Sequence, residues 1–362
     1  MDPLLVVIVS FGLIFVVTAS LGQGLGVARP TMGPPLKAHS QLTVMMLIST
    51  FILVPAILIG LASLLPFANQ VKMAVIVLAI CGGAPFVPWL VSLAKGNVGY
   101  SAAATTVLLL FTFVVLPLAV PPLQSALGTG ASVTVWKVAW PLLVFMLLPF
   151  LIGVLIRSRS LSLTMALGAW LGPVSITFLM AHIVLFISYS WTSFLSIAGY
   201  GQMAFSLVFP LVGMLVGYLL SPPYVLRVGP AEDGHRGSKI VSAVAVAQQN
   251  TGAVICCAIF AFGKYVVAGD MMLLGAIVTI VVVMLTMAEL GARFEKRQGL
   301  APRAPAAPLL VAVHDALPQQ PAPEPTHAAA PAAVAASRTS AGSAAGAKVA
   351  VTAPPQRAQG NK

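Results

Sequence analysis

Four neighbouring polar residues, Gln248, Gln249, Asn250 and Thr251, interrupt the apolar run "VAVAQQNTGAVICC", and Gly252 follows them. Two kinds of neutral group, amide and hydroxyl, are thereby placed where lipid offers no hydrogen bonds, so they mark a place where something polar is held. A second interruption falls in "AICGGAPFVPWLVSLAKGN", where Gly82, Gly83, Pro85 and Pro88 release backbone N–H and C=O groups from helical pairing. Hydrocarbon cannot satisfy such groups, so this backbone is buried in protein or lines a wet cavity. His182, in "FLMAHIVLF", is the one ionisable group at membrane depth. It can relay a proton near neutral pH, or it can sit neutral and bonded to a neighbouring helix.

The acidic residues are Asp2, Glu232, Asp233, Asp270, Glu289, Glu295, Asp315 and Glu324. None falls in the interior of the first eight apolar runs, and Asp270 and Glu289 lie at the two ends of the ninth, so no buried carboxylate is expected. No His, Asp and Glu cluster has metal spacing, and no nucleophile is set beside a base, so the chain is not expected to be an enzyme, to hold a metal or to need a cofactor.

The elements that carry these residues follow from composition. Of the 362 residues 59% are hydrophobic and 7% charged, and the mean hydropathy is +1.00, a balance that no soluble domain of this size hides in a core. A helix crosses a bilayer with about 20 apolar residues. Such runs fall at about 4–25, 41–65, 72–93, 98–123, 135–157, 164–188, 196–220, 239–263 and 270–291, which predicts an all-α polytopic membrane protein of nine spans. Asp2 and the length of the first run argue for a retained helix rather than a cleaved signal.

The formal charge of +11 follows membrane sidedness rather than nucleic acid. With the N-terminus outside, the cytoplasmic side holds Arg29, Lys37, Lys95, Arg157, Arg159, Arg227, Arg236, Lys239, Arg293, Lys296, Arg297 and Arg303, against Lys72, Lys137 and Lys264 outside. That bias predicts N-out, C-in in a plasma membrane, as in a bacterial inner membrane. Beyond residue 300 the Ala, Pro, Ser and Gly content of "QQPAPEPTHAAAPAAVAAS" predicts a disordered cytoplasmic tail over 300–362. Cys81, Cys256 and Cys257 all fall within predicted helices and are expected to pack as small hydrophobes.

Spans three and eight, which carry the two interruptions, are five apart and so run in opposite directions, as an inverted repeat requires. Paired breaks at corresponding places point to a transporter site, because half-helix ends direct backbone dipoles at ions and anions.

The segment Cys81 to Thr105, with Gly82-Gly83, "LAKGN" and then Ser101 and Thr105, resembles the bile acid:sodium symporter family, and so does "VAVAQQNTG". The resemblance covers residues 1 to about 295. It implies two inverted repeats forming a core domain, with spans three and eight crossing at unwound centres, and a panel domain of spans one, five and six. It implies a secondary transporter of a small organic anion working by alternating access, with Gln248, Gln249, Asn250, Thr251, Gly83, Pro85 and Phe86 at the substrate. Ser101, Thr105 and Gln249 stand at positions resembling sodium ligands. The chain departs from the family pattern at Val87-Pro88, where a Ser-Asn pair is expected, at Ala245, where a glutamate is expected, and at Thr50, near an expected glutamine. Sodium is therefore expected to be a weak or absent coupling ion, with His182 as an alternative proton relay. Phe86 and Trp89 either line the pocket or face lipid. A membrane receptor or scaffold that keeps the transporter fold without transporting is the competing reading. The expected partners are the organic anion and the bilayer, with no nucleic acid.

Overall fold

The computed structural model describes residues 3–27, 29–130, 132–197, 200–221, 231–263 and 266–298. The expected tail at 300–362 lies outside the described residues, as does Lys264. Among the described residues every regular element is a helix. The chain runs through α1 (Pro3–Leu25), α2 (Arg29–Ala38), α3 (Ser40–Ile48), α4 (Val54–Leu64), α5 (Asn69–Ile80), α6 (Val87–Leu93), α7 (Val98–Ala126), α8 (Val135–Leu142) and α9 (Leu148–Arg159). It continues through α10 (Leu161–Ile197), α11 (Tyr200–Leu219), α12 (Ala231–Ala247), α13 (Thr251–Cys256) and α14 (Val266–Gln298).

Two of the long apolar helices are widened by proline. Pro55 has no N–H to return to the carbonyl four residues back, and its ring would press on that carbonyl. The helix relieves this through a π turn at Ser49–Leu53, closed by the Val54 N–H on the Ser49 carbonyl, so α3 and α4 form one rod. Pro149 acts in the same way on the turn Leu143–Leu147 between α8 and α9. A third π turn, Cys257–Ala261, follows α13 and closes with the Phe262 N–H donating to the Cys257 carbonyl at 2.9 Å.

Among the described residues seven stretches are long and apolar enough to cross a membrane: Pro3–Leu25, Ser40–Leu64, Val98–Ala126, Val135–Arg159, Leu161–Trp191, Lys239–Ala261 and Ala268–Arg297. The other two expected spans coincide with the shorter apolar helices Asn69–Ile80 and Phe205–Leu219. The first of these is short because the chain leaves the helix at Cys81 and re-enters it only at Val87.

α1 packs on α9 and α10, α11 on α12, and α14 on α5, α6 and α11. The two glycines Gly213 and Gly217, one turn apart on α11, bring its backbone against Ala247 and against Ser242 and Ala243 of α12, a small-residue approach that replaces hydrophobic driving force in lipid. Lys95, with φ of 58°, follows α6 and pairs with Glu295 at 2.9 Å, so the α6–α7 turn and the end of α14 sit at one end of the bundle. Burial separates the helices by role. In the 18 most apolar consecutive residues of Lys239–Ala261, 83% are buried, whereas in those of Pro3–Leu25 and Ser40–Leu64 33% are. Ile52, Leu118, Leu151, Trp170, Val184 and Leu285 point outward as an apolar coat suited to lipid.

Candidate functional site

α5 ends at Ile80, and residues 81–84 leave the helix before a turn at Pro85 and Phe86 leads into α6. Gly83 has φ of +78°, and a Cβ there would collide with the backbone of Leu109 on α7, so conformation and space both demand glycine. The Gly82 N–H donates to Thr112 Oγ1 and to the Ile80 carbonyl, each at 3.1 Å, and the Thr112 hydroxyl donates to the Gly82 carbonyl at 3.0 Å. This satisfies two backbone groups that the glycine-proline sequence released.

The second break is residues 248–250, between α12 and α13. Asn250, fully buried, joins it to the first. Its backbone N–H donates to the Cys81 carbonyl at 2.9 Å, and its Nδ2 donates to the Gly83 carbonyl at 3.0 Å. Its Oδ1 accepts from the Ala253 N–H at 3.2 Å, which caps the start of α13. Both ends of this side-chain amide are thus committed to holding the two breaks together.

Beside this clasp lie buried oxygens with no partner among the described residues: Gln248 Oε1, Gln249 Oε1 and Thr251 Oγ1. The Gln248 amide reaches only its neighbour's carbonyl, at 3.4 Å. Ser49 Oγ and Thr50 Oγ1, in the π turn of the α3–α4 rod, are likewise buried without partners. Thr50 adjoins the first break, since a Cβ on Gly82 would lie 2.8 Å from its Cγ2. On the other side Gly252 faces Met146 and Val16, so the α8–α9 rod and α1 wall the second break.

The structure therefore brings Gly83, Gln248, Gln249, Asn250 and Thr251 to one place. Pro85 and Phe86 are half-buried next to it, and the Phe86 ring stacks on Phe15 of α1 with centroids 5.9 Å apart. Trp89 is partly buried against the core. Ser101 and Thr105 are buried on α7, but their hydroxyls donate back along the helix, to the Val98 and Ser101 carbonyls, each at 2.7 Å. Val87 and Ala245 are fully buried and Pro88 is buried as well. His182 lies apart, between α10 and α1: Nδ1 is 2.8 Å from the Ile8 carbonyl. A carbonyl only accepts, so Nδ1 carries a proton and donates it to Ile8. Gly12 leaves the ring room, and Phe186 stacks on it.

One expectation is corrected. A carboxylate is buried after all: Asp270 is 5% exposed, and Ser190 Oγ donates to its Oδ1 at 3.2 Å. α14 begins at Val266 and packs its first turns against α10 and α13, which puts this carboxylate inside the bundle. Cys81, Cys256 and Cys257 are free and buried. Sequence reasoning also missed Thr112 and Ser49. A signal for Thr112 existed, because it lies seven residues after Thr105 and hence on the same face of α7. For Ser49 the signal was Pro55, which displaces the turn that carries it.

A model of the Sodium Bile acid symporter family matches residues 11–197, which include the first break and α7. No curated protein matches the chain. The second break lies beyond the matched residues, but Asn250 fastens it to the Cys81 and Gly83 carbonyls inside them. Because the match spans more than half of the 362 residues, the chain belongs to the Sodium Bile acid symporter family.

Proposed function

We propose that the protein is a secondary transporter that carries a small organic anion by alternating access, binding it where the two broken helices meet. The observation that carries this reading is the juxtaposition itself. Asn250 ties the breaks together, while Gln248 Oε1, Gln249 Oε1 and Thr251 Oγ1 stay buried and unpaired beside it. A buried polar atom without a partner costs about 1–3 kcal/mol, and a ligand that bonds to it recovers that cost. Glutamine amides turn over to offer N–H to a carboxylate or C=O to a hydroxyl, so neutral side chains suffice to hold such an anion. Phe86 and Pro85 supply an apolar wall.

In this reading the chain crosses the membrane nine times, N-out and C-in, in a plasma membrane. α1, the α8–α9 rod and α10 form the panel, which the mutual packing of α1, α9 and α10 supports. The remaining spans form the core, in two inverted repeats, and the core moves against the panel. Sodium is cargo that the residues at the crossing fit poorly. Ala245, Val87 and Pro88 offer no side-chain oxygen, and the oxygens left near the crossing, those of Ser49, Thr50, Ser101, Thr105, Gln248, Gln249 and Thr251, are all neutral. A desolvated cation needs several oxygens, with a carboxylate among them to offset its charge.

The test has two stages. Thermal shifts of the purified protein across a panel of organic acids, with and without sodium, identify the anion. Uptake of that anion into proteoliposomes under a sodium gradient, against potassium or choline at constant pH and membrane potential, then gives the coupling. Uptake that persists without sodium is expected. A large sodium stimulation would overturn the weak-sodium reading, and binding without uptake would favour a receptor that keeps the fold.

A further inference from the structure

The crossing site makes no use of Asp270, and its surroundings are unusual for a charge. Its side chain is 5% exposed, Oδ1 accepts from the Ser190 hydroxyl at 3.2 Å, and Oδ2 is buried with no partner. The other acidic side chains described on α14 have cations: Glu289 pairs with Arg293 at 2.7 Å and Glu295 with Lys95 at 2.9 Å. Asp270 has none.

The elements packed against α14 carry Lys72 on α5, Cys81 just after it, His182 and Tyr189 on α10, Tyr218 on α11, Lys239 on α12, and Cys256 and Cys257 on and after α13. Among these described groups none bonds to Asp270. His182 is committed to the Ile8 carbonyl, Lys239 lies over the Tyr218 ring at 5.0 Å, and the thiols carry no charge to offer. A carboxylate removed from water costs several kcal/mol unless it is neutralised. With no cationic side chain bonded to it among the described residues, the neutralising partner comes from solution. A metal cation would need several oxygens, and Ser190 Oγ is the one side-chain oxygen bonded to Asp270, whose neighbour Gly269 lies against Ala258. A proton needs only one O–H bond, on Oδ2.

We propose that Asp270 with Ser190 is a proton-binding site, and that movement of the core against the panel takes up and releases one proton there. This rests on the reading of α10 as panel and α14 as core. With the two helices in contact, Asp270 is a neutral acid whose carbonyl oxygen, Oδ1, accepts from Ser190. When they part at this end, water reaches Oδ2, the O–H bond breaks, the proton leaves to water and the carboxylate remains hydrated. The closed contact therefore holds one proton more than the open one. His182, bonded within α1 and α10, crosses no such boundary and carries no proton in the cycle.

Two measurements on the full chain in lipid nanodiscs test this without any transported anion. Infrared difference spectra between alkaline and acidic pH should show the C=O stretch of a protonated carboxylic acid in the wild type, lost in Asp270→Asn and displaced in Ser190→Ala. Hydrogen exchange over the last turns of α10 and the first of α14, corrected for its intrinsic pH dependence, should change by up to about tenfold per pH unit through the transition. It should be flat in Asp270→Asn. If Asp270→Asn does not reach the membrane folded, Asp270→Glu and Ser190→Ala must each displace the wild-type band and its midpoint. A band unchanged in the folded variants, a wild type without one, or wild-type pH dependence of exchange in Asp270→Asn overturns the site. Those failures leave the transport reading intact, whereas a wild type that shows the band but binds no anion overturns transport and not the proton site.

Discussion

Replacing Asn250 should unfold the crossing before it weakens any ligand. In Asn250→Ala the backbone N–H still reaches the Cys81 carbonyl, because alanine keeps it. Two bonds go. Loss of the Nδ2 donor leaves the buried Gly83 carbonyl unpaired, about 1–3 kcal/mol. Loss of Oδ1 uncaps the Ala253 N–H, about 1 kcal/mol. The sum is about 2–4 kcal/mol. Asn250→Ser keeps a capping oxygen and loses only the Gly83 contact, so it should cost less than alanine. Asn250→Asp keeps the cap but sets a carboxylate oxygen against the Gly83 carbonyl and buries its charge, so it should cost more. Gln249→Leu supplies the contrast. Gln249 Oε1 has no partner, so an apolar side chain of similar volume should leave stability unchanged or raise it, while removing anion affinity. Thermal or denaturant unfolding of the five proteins in one detergent gives the ranking. Asn250→Ala as stable as Gln249→Leu, or Asn250→Ser less stable than Asn250→Ala, would show that Asn250 is not the clasp.

Thr112→Val keeps the shape of the side chain but leaves the Gly82 C=O without its donor and the Gly82 N–H to the Ile80 carbonyl, and should cost about 1–3 kcal/mol, read in the same unfolding assay; a variant within 0.5 kcal/mol, roughly the scatter of neutral surface changes, would refute it. Gly83→Ala must adopt a left-handed conformation, about 1–2 kcal/mol, and push the α7 backbone at Leu109, so little folded protein should reach the membrane; wild-type yield and stability would contradict the geometry of the first break. Removing residues 305–362 should leave membrane insertion and the unfolding midpoint unchanged, because that segment has few large apolar residues to pack on the bundle; a lowered midpoint in the truncated chain would show that it does pack.

The sequence made the helices legible because apolar length and the interruptions are local signals. "CGGAPFVP" announced a break, and "QQNTG" announced a second. What it could not give was how the polar groups divide between holding and remaining free. Gln248, Gln249, Asn250 and Thr251 look alike in a string, yet the Asn250 side chain is consumed by Gly83 and Ala253 whereas Gln248 Oε1 and Gln249 Oε1 are left over. That division depends on contacts 167 residues apart in the chain. Asp270 was misread for a related reason. Its place at the end of an apolar run argued against a buried carboxylate, but burial there is decided by α10, whose Ser190 lies 80 residues away. The π turns were half visible: Pro55 and Pro149 were in plain view, but a lone proline does not say whether a helix will kink or widen.

The position of charge bears most directly on how transport would be driven. In a low-dielectric site an ion is bound by whatever offsets its charge, and carboxylates do this best. At the crossing the offset is missing, since a methyl group, Ala245, stands fully buried where the family resemblance expects glutamate. The uncompensated carboxylate lies instead at Asp270, on the boundary between α10 and α14. Moving the carboxylate changes which ion can follow it. Three uncharged residue types at the crossing, glutamine, threonine and serine, provide oxygens with no net attraction for a cation, whereas Asp270 provides net attraction with a single donor beside it, a geometry that satisfies a proton and starves a metal ion. In the proposed reading anion recognition and coupling are then separable. Gln249→Leu should abolish anion affinity while preserving the infrared signature of Asp270, and Asp270→Asn should abolish that signature while preserving anion binding; a variant of either residue that removes both would mean that one site does both jobs.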